Sequence, residues 1–131
     1  MAKCIHTMIR VLDLEKSLRF YDEAFGLKPV HTLDFPSFTL AYLRNAEADF
    51  EIELTLNKGR TEPYTHGDGY GHVAVAVPDA AAEHARLRAL GHAPLDVKEF
   101  RDGDTLLARF FFIQDPDGYK IEVLEALGHY R

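Results

Sequence analysis

Residues 4–26 read CIHTMIRVLDLEKSLRFYDEAFG, and residues 71–91 read GHVAVAVPDAAAEHARLRALG. Cys4 to Val11 predicts a strand, because side chains at every second position share a face. Asp13 then stands where a helix wants its N-cap. Leu14, Leu18, Tyr21 and Phe25 recur at helical spacing, and Gly26 offers the left-handed stop. The second stretch follows the same plan: a strand over Gly71 to Val77, Asp79 at the helix start, a helix from Ala80 to Leu90, and Gly91 as its end. His6 falls on His72 and Asp13 on Asp79 at one common offset, with Gly26 on Gly91 one residue short of it. One βα unit is written twice.

Three further strands are predicted in each half. In the first they lie near Pro29 to Leu33, Phe38 to Arg44 and Phe50 to Leu56, broken by Pro36 and by Asn45 to Asp49. In the second they lie near Pro94 to Val97, Leu106 to Gln114 and Tyr119 to Glu125. The last two are joined by Asp115-Pro116-Asp117-Gly118, strong turn chemistry. Glu53 falls on Glu122 three residues beyond the common offset, a drift that small loop changes explain. The chain therefore reads as α+β, a single domain over 1–131 made of two βαβββ modules (about 1–58 and 70–131). Lys58 to Gly69 reads as the linker, and Lys98 to Asp104 as a polar loop.

At 131 residues with 47% hydrophobic and 27% charged content, the chain is large enough to bury a core without staples. A single cysteine, Cys4, excludes an intramolecular disulfide and agrees with a reducing compartment. No apolar run is long enough to cross a bilayer, and the first residues lack a signal-peptide stretch, so a cytoplasmic location without membrane partners is expected. The net charge of -6 and the scattered Lys and Arg argue against a nucleic-acid partner.

Strand parity sorts the chemistry. His6, Met8 and Arg10 share one face, away from Thr7, Ile9 and Val11; Glu51, Glu53 and Thr55 lie opposite Ile52, Leu54 and Leu56. In the second half His72 points away from Val73, Val75 and Val77, and Glu122 away from Ile121 and Val123. Each module thus carries a His on its first strand and a Glu on its last, on the face that does not pack a helix. Taken alone, a histidine at a strand start is more often a structural hydrogen-bonding residue than a ligand, and an exposed strand Glu is blander still. The duplication changes that balance. Two imidazoles and two carboxylates without thiolate suit a six-coordinate divalent transition metal such as Ni, Co, Mn, Fe or Zn. On parity alone, Glu51 and Glu53 are equal candidates in the first module.

The segments His6-Thr-Met-Ile-Arg-Val11, Phe20-Tyr21, Phe25-Gly26-Leu27, Ile52-Glu-Leu-Thr55 with Asn57, Gly71-His-Val-Ala74 and Asp115-Pro-Asp-Gly-Tyr-Lys-Ile-Glu122 resemble glyoxalase I (lactoylglutathione lyase) of the vicinal oxygen chelate superfamily. The resemblance spans nearly the whole chain. It implies metal ligands His6, Glu53, His72 and Glu122, choosing Glu53 over Glu51, and a homodimer with active sites at the interface. Arg10 and Asn57 match positions that hold the γ-glutamyl end of glutathione. The compact chain is similar to the short bacterial subclass, which implies one divalent ion per site, nickel ahead of cobalt and zinc. One departure is Asp68, where eukaryotic members carry Arg; Lys58, Arg60, Lys98 and Arg101 are the alternative cations.

The implied reaction isomerises the hemithioacetal of methylglyoxal and glutathione to S-lactoylglutathione through a metal-stabilised enediolate. Glu122 is read as the principal base and Glu53 as its partner, from their repeat-equivalent placement. Other metal-dependent members of the superfamily, an acyl-CoA epimerase, a thiol transferase or a ring-cleaving dioxygenase, share the fold and part of the ligand set. A metal-free resistance protein that binds a small molecule is expected to lose ligands, whereas all four are present here.

Overall fold

Strand β1 (His6–Val11) runs into Asp13, whose side chain accepts a hydrogen bond from the Lys16 N–H and so starts helix α1 (Leu14–Phe25). The helix stops where Gly26 takes φ 64°, a left-handed conformation that a Cβ would strain. Strands β2 (Lys28–Asp34), β3 (Phe38–Arg44) and β4 (Glu51–Asn57) follow. The second half repeats the order with β5 (Val73–Val77), α2 (Ala80–Ala89), β6 (Lys98–Asp102), β7 (Thr105–Gln114) and β8 (Lys120–Glu125). Asp79 caps α2 through the Ala82 N–H, and Gly91 takes φ 92° beyond its end.

The computed structural model describes residues 1–131, which divide into two compact units, Met1–Thr65 and His66–Arg131. Each unit is one four-stranded mixed sheet with one α-helix, in strand orders β1-β4-β3-β2 and β5-β8-β7-β6, and the second also carries a 3-10 turn at Gly128–Tyr130. The first and last strands of each module are parallel neighbours, and the other pairs are antiparallel. Parallel pairing of first with last is what brings each module's His beside its Glu. In the first unit Ile9, Val11, Ala41, Leu43, Ile52 and Leu54 are buried on the alternate positions that parity assigns to the helix side. Leu87, Phe111, Ile113, Ile121 and Val123 do the same in the second. Burying side chains such as Leu54 and Val123 stabilises the fold by about 1.5–3 kcal/mol apiece.

One expectation is sharpened and two are corrected. The helix face of α1 is Ser17, Phe20, Tyr21 and Ala24, so of the apolar stripe only Tyr21 lies at its centre. Small Ser17 and Ala24 let the backbone approach the sheet, while Phe25 packs its ring against Phe20 and Tyr21. Residues 94–97 form no strand; the module's second strand is instead the supposed loop, Lys98–Asp102. Its charges belong to an exposed edge, where charge discourages pairing with another chain, and Phe100 lies half-open beside Phe110, ring centroids 5.1 Å apart. Gly103 at φ 59° opens a two-residue hairpin into β7, a Gly-X signal present in the sequence. Finally, β5 starts at Val73, so His72 precedes the ladder, whereas His6 lies inside β1.

The Asp115-Pro-Asp-Gly turn sets where β8 begins. Asp115 is 5% exposed, and its Oδ1 accepts from the Asp117 and Tyr119 N–H groups at 2.9 and 3.0 Å. Asp115→Ala would leave both donors without their acceptor. The expected cost is about 1–3 kcal/mol, read as a lower denaturation midpoint at unchanged slope.

Candidate metal centre

On the face of the first sheet turned away from α1, His6 Nε2 lies 3.1 Å from Glu53 Oε1. Glu51 is the residue directly paired with His6 along the ladder, yet its carboxylate turns to Arg44, 3.6 Å away. The side-chain direction, which parity could not supply, separates the two glutamates. The second sheet repeats the arrangement, with His72 Nε2 3.3 Å from Glu122 Oε1. Within each module two donors come together, and neither module alone assembles three.

The spacing and burial fit a metal. Donors bound at about 2.1 Å to one ion lie about 3.0 Å apart at a right angle and about 3.4 Å apart at the tetrahedral angle. The observed 3.1 and 3.3 Å fall in that interval. The carboxylates are mostly enclosed, with 10% and 16% of the side chain exposed, against 33% and 41% for the imidazoles. A carboxylate in such a position needs a cation or good donors to offset lost hydration. Imidazole nitrogens and carboxylate oxygens are a donor set for borderline divalent transition metals.

Aromatic rings wall both pairs. Tyr42, opposite Glu53 on β3, meets His6 edge-on at 5.7 Å; Phe112, opposite Glu122 on β7, meets His72 edge-on at 5.3 Å. Burial and the nearby Glu53 charge hold the Tyr42 hydroxyl above the usual phenol range. These two residues were not singled out from the sequence. Carrying the repeat alignment to the penultimate strand would have shown an aromatic ahead of each Glu.

The expected substrate contacts have local partners. Asn57 donates to the Tyr64 hydroxyl at 3.1 Å, and Arg10 is exposed on β1 beside Thr55. Lys58 is engaged with Asp34 at 2.7 Å, Arg60 with the Glu62 and Pro63 carbonyls and the Tyr64 ring, and Arg101 with Glu99. Of the remaining histidines, His66 stacks on Tyr119 at 4.1 Å and His31 leans on Tyr42.

Two mixed sheets of βαβββ order match the fold of the vicinal oxygen chelate proteins. The chain belongs to the Glyoxalase/Bleomycin resistance protein/Dioxygenase superfamily, whose model matches residues 3–123. It is 40% identical over 126 residues to the lactoylglutathione lyase of Haemophilus influenzae, covering 92% of this chain and 90% of that one. With the Neisseria meningitidis lactoylglutathione lyase it shares 42% identity over 128 residues, covering 94% and 90%. Among solved structures, a trypanothione-dependent glyoxalase I from Leishmania major matches at TM-score 0.77 and 34% identity, covering 95% of this chain and 87% of that one. Glyoxalase I from Zea mays matches at TM-score 0.82 and 30% identity, covering 93% of this chain and 44% of that longer one.

Proposed function

We infer that the chain is a glyoxalase I, a lactoylglutathione lyase that isomerises the hemithioacetal of a 2-oxoaldehyde and glutathione. The observation that carries this reading is the pair of repeat-equivalent His–Glu couples at 3.1 and 3.3 Å, in a chain about 40% identical to lactoylglutathione lyases over most of its length. His6, Glu53, His72 and Glu122 would hold one divalent ion, nickel or cobalt by analogy with short bacterial relatives. Each module contributes two donors, and a homodimer whose sites draw on both copies completes the set of four. A cytoplasmic location fits the single reduced cysteine and the absence of a helix long and apolar enough to cross a membrane.

The reaction removes a proton from the carbon bearing sulfur and hydroxyl and returns it to the neighbouring carbon, while negative charge develops on two adjacent oxygens. The ion, when bound, supplies Lewis-acid stabilisation of that charge, worth several kcal/mol. The Glu122 carboxylate takes and returns the proton, and Glu53 is its counterpart on the other side. Enclosure of both carboxylates keeps bulk water from competing for it. Arg10 and Asn57 are the proposed contacts to the γ-glutamyl group, Asn57 exchanging its Tyr64 partner for the ligand.

The test is thioester formation, followed by ultraviolet absorbance, from methylglyoxal and glutathione with apoprotein refilled separately with Ni, Co, Mn and Zn. Activity highest with Ni or Co is expected. Inactivity with every metal would shift the assignment to an epimerase or thiol transferase of the same superfamily.

A further inference from the structure

The duplication makes Glu53 and Glu122 equivalent in position, but their neighbours differ in chemistry. Directly across the strand pair, Glu53 faces Tyr42 and Glu122 faces Phe112. Both rings meet the imidazole of their own module edge-on, so the two walls differ mainly in the tyrosine oxygen. Cross-strand pairing sets that oxygen on the same face as the Glu53 carboxylate, close enough that burial and the Glu53 charge hold the phenol in its protonated, hydrogen-bond-donating form. Two residues further on, β4 carries Thr55 and β8 carries Leu124. Thr55 Oγ1 donates to Glu53 Oε2 at 3.4 Å, while Oε1 is the atom facing His6. Leu124 instead packs with Ala108, Phe110 and Phe112 in an apolar cluster.

Resting on the metal reading above, we propose that Tyr42 is a positioning residue: its hydroxyl, together with that of Thr55, orients the Glu53 carboxylate beside His6, a restraint the C-terminal module lacks at Glu122. A ligating carboxylate held by a hydrogen bond keeps one orientation, and the loss of such outer partners weakens metal binding. Glu122, among the hydrocarbon of Phe112 and Leu124, keeps the freedom to turn between ion and substrate. Two copies of one device are thereby divided into a fixed ligand and a carboxylate able to carry a proton. Tyr42 and Glu53 lie across β3–β4, the central strand pair of the first sheet, so little backbone motion can separate them.

Tyr42→Phe deletes the oxygen and keeps the ring. With Co(II) as probe in the full chain, chelator competition is expected to show about 10-fold or greater loss of affinity, and the visible bands of the Co(II) form should shift. The melting temperature of the metal-free protein should stay near the wild-type value. The reciprocal Phe112→Tyr should also move the Co(II) bands, by placing a hydroxyl at Glu122. Unchanged affinity and bands in Tyr42→Phe would overturn the proposal and leave the metal reading intact. A wild-type chain that takes up no divalent ion would overturn both. If the metal-free variant melts early enough to account for the lost affinity, Tyr42 is a stability residue and the proposal falls.

Discussion

Glu122→Gln should lower turnover by about 10²- to 10⁴-fold, the contribution expected of a positioned general base, while the protein still binds its metal. Gln keeps the shape and one ligating oxygen of Glu but cannot accept the proton. The side chain is mostly enclosed and its Oε1 is 3.3 Å from His72 Nε2, so a change of this size in an isosteric residue would report chemistry. The measurement is kcat for thioester formation beside metal content of the same preparation. Near-normal turnover with metal bound would remove Glu122 from the base role. Glu53→Gln should cost less in kcat and more in metal affinity if Tyr42 and Thr55 fix Glu53 as a ligand.

The second large effect is expected from the imidazoles. His6→Ala or His72→Ala removes a ligand outright, and loss of affinity should exceed the roughly 10- to 100-fold typical of outer-shell partners. Each variant should emerge from gel filtration depleted of metal and with little activity, and excess Ni or Co should restore wild-type apoprotein only. Because the ligands act as one unit, the double variant should be little worse than either single. A single variant retaining stoichiometric metal would show that its histidine is a structural residue hydrogen-bonded to the neighbouring Glu. Both imidazoles are over a third or nearly a third exposed, so their removal leaves no large cavity, and the apoproteins should fold.

Much of the fold is legible because its signals are local. Asp13 and Asp79 as caps, Gly26 and Gly91 at positive φ, and the alternation of Ile52 with Glu53 depend only on near neighbours in the chain. The misread segment, Lys98–Asp102, is one where local composition and tertiary placement disagree. Five residues with four charges look like a loop, and a strand forms because β7 offers a ladder, with Phe100 lying half-open beside Phe110. The helix over Leu14 to Phe25 is legible from spacing, but not that Ser17 and Ala24 are buried on its packed face, which hydrophobicity alone does not rank.

The paired His and Glu with which each module begins and ends were determined by the sequence itself, since duplication places the same residue types at matching strand positions. Parity also determined which face His6, Glu53 and Glu122 occupy, because successive strand side chains point to opposite sides. Only the tertiary structure decided that His6 meets Glu53 while Glu51 turns to Arg44, and that Tyr42 and Phe112 stand across from the two carboxylates. Those contacts join residues far apart in the chain. Their distances depend on strand register and side-chain rotamer, quantities that arise only when the sheet is assembled.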